Sequence, residues 1–182
     1  EAPQAGLGGM GAEESPAWKE IERGRNAGVL RCDEGRAMNP VYADSSFVIS
    51  LYCHDHNTGE ARRFMARHPA SLAFNPFHRL EVFNGLRLRV HRGDMTGEER
   101  AAALRRIDEN LSDGILAHSP IPWTDALRMA GQLSADHAER IGSRAADTLH
   151  VAAAILAGTR RFLSFDKRQR ELGRAAGLEV KP

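Results

Sequence analysis

The chain has 182 residues, 27% of them charged, with a formal net charge of +1 when histidines are neutral; this suits one domain whose core needs neither disulfides nor a structural metal. Cys32 and Cys53 are too few for a disulfide framework and neither belongs to a CxxC pair, so a reducing cytoplasm is the expected setting. No apolar run approaches membrane-spanning length and no signal-peptide core stands at the N-terminus, which points to a soluble protein.

Residues 1–37 differ in composition from the rest. "EAPQAGLGGMGAEE" has almost nothing to bury and is expected to be disordered. "SPAWKEIERGRNAG" suggests a short helix near 16–25, with Ser15 as N-cap, Pro16 at the first helical position and Trp18 and Ile21 three apart. Met38 looks like a natural start, so 1–37 is expected to be an appendage of upstream or added origin, or a docking segment. It carries seven acids against five bases, whereas 38–182 carry seventeen acids against twenty bases. Nearly all of the later bases are arginine, a weak pointer to an anionic partner that a GC-rich coding bias would explain equally well.

From 38 on, strands and helices alternate. "VYAD" (41–44), "SLAF" (71–74), "ILAH" (115–118), "RFLS" (161–164) and "LEV" (178–180) are short apolar runs typical of buried parallel strands. Between them, Asn75 and Pro76 open a helix running past Leu88, and Thr96 with Glu99 forms a capping box for "GEERAAALRRIDENL". Thr124 opens a third helix, Ser143 a fourth that Gly158 closes, and Asp166 a last one that ends at Gly177. The pattern predicts an α/β domain with a mostly parallel, five-stranded central sheet flanked by helices.

Four acids stand out within this frame. Asp44 ends the first strand and Asp166 lies two residues past the fourth, so both face the carboxyl edge of the sheet, where parallel sheets bind ligands. Glu81, among Phe77, Leu80 and Val82, and Asp147, in an alanine-rich helix, interrupt apolar faces. Buried carboxylates are costly unless paired, and four that converge call for a divalent cation.

The ordered set "YADSSFVISLY", "RLEVFNGL", "RAADTLHVAAAI" and "FLSFDKRQRELGRAAGLEV" resembles the PIN-domain proteins, most closely VapC-type toxins of toxin-antitoxin pairs. The resemblance covers about 40–180 and implies a PIN-like fold for 38–182, with Mg2+- or Mn2+-dependent endoribonuclease activity leaving 5′-phosphate and 3′-hydroxyl ends. It also implies a homodimer and a cognate, VapB-like antitoxin whose tail covers the groove. On it, Asp44, Glu81, Asp147 and Asp166 match the four acidic positions. Asp44 and Asp147 would be direct metal ligands, Asp166 a ligand to a second ion or through water, and Glu81 a ligand or water-orienting base. Ser46 and Ser164 match small hydroxyl residues that would support the site, and Arg144 would touch phosphate or neutralise the acids. The chain departs from the pattern at Asn75, where relatives often have Ser or Thr, and in residues 1–37, which have no counterpart.

Local chemistry leaves simpler roles open. Asp44 and Asp166 could merely cap the helices that follow them, Glu81 could pair with Arg79 or Arg87, and Asp147 with Arg144. His150, three residues beyond Asp147, has the profile of a satisfied core histidine. Cys53, His54 and His56 in "YCHDHN" are crowded at a helix end without a second ligand pair, which disfavours zinc. Trp123 and the arginines of "ALRRID" are candidates for stacking on or clamping RNA, or for ordinary packing and solvation. Two other classes compete with the ribonuclease: a non-cleaving nucleic-acid or protein binding module, which would gain nothing from four acids, and a structure-selective DNA nuclease, which would need DNA-gripping elements that a chain this short lacks.

Overall fold

The computed structural model describes residues 40–182. The appendage, its short helix near 16–25 and Cys32 lie outside the described residues.

Five strands and seven helices follow one another: β1 (Tyr42–Ala43), α1 (Ser45–Tyr52), α2 (Thr58–Arg67), β2 (Leu72–Phe74), α3 (Pro76–Arg92), α4 (Gly97–Ser112), β3 (Leu116–His118), α5 (Trp123–Ile141), α6 (Ala145–Leu156), β4 (Arg161–Leu163), α7 (Lys167–Ala175) and β5 (Glu179–Lys181). Among the described residues, every strand pairing is parallel. β1, β4 and β5 form one ladder with Tyr42 opposite Phe162, and β2 and β3 form another with Leu72 opposite Leu116. A bridge between Val41 and Leu72 joins the two ladders in the order β3-β2-β1-β4-β5.

Alternation along these short strands sends neighbouring side chains into two cores on opposite faces. Ala43, Leu72, Phe74, Leu116 and Leu163 pack with Phe47 and Leu51 of α1, Met65 of α2, Val82 and Leu86 of α3 and Ile107 of α4. Tyr42, Ala73 and Phe162 instead pack with Ala126 of α5, Val151 and Ala154 of α6 and Leu172 of α7. Both faces are thus covered by helices, as a parallel sheet requires, and the central strands β1 and β2 are apolar and buried throughout for that reason.

All five strands lie where the apolar runs place them, and the Thr96–Glu99 capping box is formed. Two helix starts differ. α5 begins at Trp123, because the Pro122 carbonyl already accepts from Ala126 N at 2.9 Å. α6 begins after Arg144 and not after Ser143, because the Asp147 carboxylate takes the Arg144 N–H at 2.7 Å and the Ser143 hydroxyl bonds nothing. α2 had no strong sequence signal: it buries only Thr58, Ala61 and Met65.

Candidate active site

The acids gather at the carboxyl ends of β1 and β4, adjacent strands in the same ladder. Asp44 continues β1 by donating its N–H to Leu163 O at 2.9 Å, then caps α1 by accepting the Phe47 N–H at 2.6 Å. Its carboxylate is 1% exposed. Ser46 Oγ donates to one carboxylate oxygen at 2.9 Å and Ser164 Oγ to the other at 2.7 Å. Burial dominates its electrostatics and raises its pKa; nearby His150 and the Ser164, Phe47 and Ser46 donors work against that rise.

Ser164 turns the two strand ends into one unit. Its hydroxyl donates to Asp44 and accepts the Asp166 N–H at 3.0 Å. Asp166 caps α7 through the Arg168 and Gln169 N–H groups at 2.8 and 3.0 Å. The Gln169 side chain then reaches across to α6, its Nε2 donating to Asp147 Oδ1 at 2.9 Å. A continuous hydrogen-bonded run therefore links Asp44, Ser164, Asp166, Gln169 and Asp147. The capping roles of Asp44 and Asp166 and their place in this run are the same geometry, since a strand-end residue before a helix faces the carboxyl edge.

Glu81 approaches from α3. It does not pair with Arg79, whose guanidinium lies 4.5 Å from the Phe83 ring centroid. Its Oε2 lies 2.6 Å from His150 Nε2, and the Ser45 hydroxyl also bonds it. Burial pushes its pKa up, but the hydrogen bonds from His150 and the Ser45 hydroxyl together hold it below the usual carboxylate value. Asp147 takes its contact with Arg144 from the backbone, while the Arg144 side chain is exposed at the rim.

Several contributors escaped sequence reasoning. Gln169 is 8% exposed and its only signal is its place three residues after Asp166. His150 is buried as anticipated yet bonds Glu81. Tyr42, Asn75 and His78 lie in the same buried region: the Tyr42 ring centroid is 4.7 Å from that of His78 and 5.9 Å from that of His150. Burial and the neighbouring His150 push the His78 pKa down to about 3, against the pull of its Ala43 carbonyl partner, so His78 is neutral. Trp123 packs edge-on against Phe77, whose other neighbour is His150 at 4.7 Å. Arg105 is exposed and Arg106 pairs with Glu109 at 3.4 Å. Away from this site, Cys53 is buried against Asp55 while His54 and His56 are exposed.

Among the described residues, no three histidine, cysteine, aspartate or glutamate side chains stand together closely enough to hold a metal ion. The donors nevertheless suit a hard divalent cation. They are oxygens throughout, and the buried Oε1 of Gln169, whose amide nitrogen bonds Asp147, has no hydrogen-bond partner.

The PIN domain family model matches residues 41–175. Among solved structures, the Mycobacterium tuberculosis VapC20 toxin, described as cleaving the sarcin-ricin loop, matches with a TM-score of 0.55 and 22% sequence identity, over 78% of this chain and 99% of the toxin. No curated protein matches the chain. At that identity the toxin supports the fold, and the family match spans β1 to β4 and all four acids: the chain belongs to the PIN domain family.

Proposed function

We propose that the chain is a metal-dependent endoribonuclease of the VapC-like toxin type, with 38–182 as its PIN domain and 1–37 as an appendage. The observation that carries this reading is the run from Asp44 through Ser164, Asp166 and Gln169 to Asp147 at the carboxyl edge of a parallel sheet. A parallel sheet does not need three acids tied together there for its stability, and burial of Asp44 works against it.

Asp44 and Asp147 would hold Mg2+ or Mn2+ directly, with Asp166 at a second ion or through water. When bound, such an ion acidifies water and neutralises charge that develops on the phosphodiester. The protein's own groups do the rest. Ser46 and Ser164 fix the Asp44 carboxylate by donating to both oxygens, and for Asp147 the Gln169 amide donates to one oxygen and the Arg144 backbone N–H to the other. Glu81, kept ionised, orients the attacking water and takes its proton on a carboxylate oxygen. Exposed Arg144 meets the phosphate. Leu80 and Leu127, 68% and 61% exposed, are apolar surface that a second copy would cover in a homodimer. A VapB-like antitoxin is the expected partner and the cytoplasm the expected site of action; among the described residues, no helix is long and apolar enough to cross a membrane.

The test is incubation of the purified chain with cellular RNA, with and without Mg2+ or Mn2+, beside Asp44→Asn and an EDTA control. A ribosomal hairpin of the sarcin-ricin type is the first defined substrate to try. Metal-dependent cleavage lost in Asp44→Asn is the expected result; binding without cleavage under both ions would establish the non-cleaving module in its place.

A further inference from the structure

Beside the acids lies a set of buried polar side chains whose hydrogen-bond direction is imposed by a helix cap. Asn75 Oδ1 accepts the N–H groups of Phe77 and His78, both at 3.0 Å. Its amide nitrogen therefore faces the other way, toward Tyr42 Oη at 3.4 Å. That phenol is buried, and with the Asn75 Nδ2–H already donated to it, its own hydrogen needs an acceptor. The acceptor in reach is His150 Nδ1 at 3.1 Å. A nitrogen that accepts carries no proton, so the ring's proton sits on Nε2, which faces Glu81 Oε2 at 2.6 Å and Ser45 Oγ at 3.2 Å. His78 does not compete: its Nδ1 accepts the Asn75 backbone N–H at 3.3 Å and its Nε2 donates to the Ala43 carbonyl at 2.7 Å.

We propose that Asn75, Tyr42 and His150 are positioning residues that pass the direction of the α3 cap to Glu81, fixing the His150 tautomer so that an Nε2–H always meets that carboxylate. The tautomer follows from the contacts alone; only the catalytic use of Glu81 rests on the nuclease reading. Asn75 is the one helix-capping residue that could do this, because a Ser or Thr there would keep the cap and lose the amide nitrogen. The departure from the family pattern at this position thus acquires a role beyond capping.

The first measurement is the nitrogen NMR spectrum of His150 in the metal-free protein, with His150→Gln to assign it. The expected spectrum has Nε2 protonated and Nδ1 bare; a proton on Nδ1 in the wild-type chain overturns the proposal without any appeal to activity. Asn75→Asp keeps the cap acceptor but replaces the N–H donor with an acceptor, so the Tyr42 hydrogen turns away from His150 and the ring's proton is expected on Nδ1. An unchanged ring spectrum in that variant would equally overturn it. In RNA cleavage, Tyr42→Phe and His150→Gln are each expected to lower kcat by about 10–100-fold with KM nearly unchanged. Neither should lower it further in a Glu81→Gln background, whereas additive losses would assign the two residues a general structural role. Should the wild-type chain cut no RNA at all, the nuclease reading fails while the ring spectra still decide the relay.

Discussion

At Asp44, capping, burial and charge pull in different directions. Its folded pKa is raised, chiefly by burial, so the native state binds that proton more tightly than the unfolded chain does. Ionising it costs stability, and the cost sets in as pH rises from the unfolded value of about 4 through the folded one. Asp44→Asn keeps a good cap for α1 and removes the buried charge. Its Tm should rise at pH 7, by about 2–4 °C for each kcal/mol relieved, and the gain should shrink below pH ~4; thermal melts at the two pH values check this. Asp55 has the opposite sign. Burial raises its pKa, but Ser50, Thr58, the Asn57 N–H and the Arg89 guanidinium at 2.8 Å together lower it below the usual value. Its contribution is therefore present above the unfolded pKa and is lost as pH falls through the folded one, so Asp55→Ala should cost about 2 kcal/mol at pH 7 and much less in strong acid. The acids stood out in the sequence because Asp44 and Asp166 follow apolar strand runs and Glu81 and Asp147 interrupt apolar helix faces. Asn75, Tyr42 and Gln169 were not, since their meaning lies in which partner takes which hydrogen, and those partners are remote in the chain.

Among the elements, α4 is the simplest to perturb. Thr96 Oγ1 accepts the Glu99 N–H at 3.1 Å while the Glu99 carboxylate accepts the Thr96 N–H at 2.7 Å, both exposed to solvent. Thr96→Ala should cost about 1 kcal/mol and leave RNA cleavage unchanged, which denaturant melts and the cleavage assay would show together. Such boxes are local and could be read directly. α3 is capped less obviously: His78 takes the place of the usual Glu and accepts from the Asn75 backbone through Nδ1. The starts of α5 and α6 were displaced by a carbonyl and by a carboxylate, neither of which a cap-residue preference registers. α2 was missed because its buried positions, Thr58, Ala61 and Met65, have helical spacing but only Met65 among them carries a large apolar side chain.

Across the whole molecule, the five strands have two or three residues each, so the sheet is held by its helical covers as much as by its ladders. An ion that binds the folded acids and not the unfolded chain must stabilise this assembly, by about 2.7 kcal/mol at a hundredfold excess over Kd. Mg2+ or Mn2+ should therefore raise the Tm of the wild-type chain, EDTA should reverse the shift, and Asp147→Asn should remove most of it; differential scanning fluorimetry at matched ionic strength is the check. The α/β alternation, the parallel sheet and its carboxyl-edge site were all readable from short apolar runs. The bridge at Val41 that joins two ladders was not, because a single residue pair leaves no pattern.

The pairing of β1 with β4 also has a consequence during synthesis. Asp44 meets Ser164 across 120 residues of chain, and Asp166 and Gln169 follow later still. A polypeptide still on the ribosome, or one released early before Ser164, has its first acid held only by Ser46 and the Phe47 N–H. The hydrogen-bonded run that ties the acids together therefore stays unassembled until Gln169 has left the exit tunnel, and any fragment ending before Ser164 lacks it.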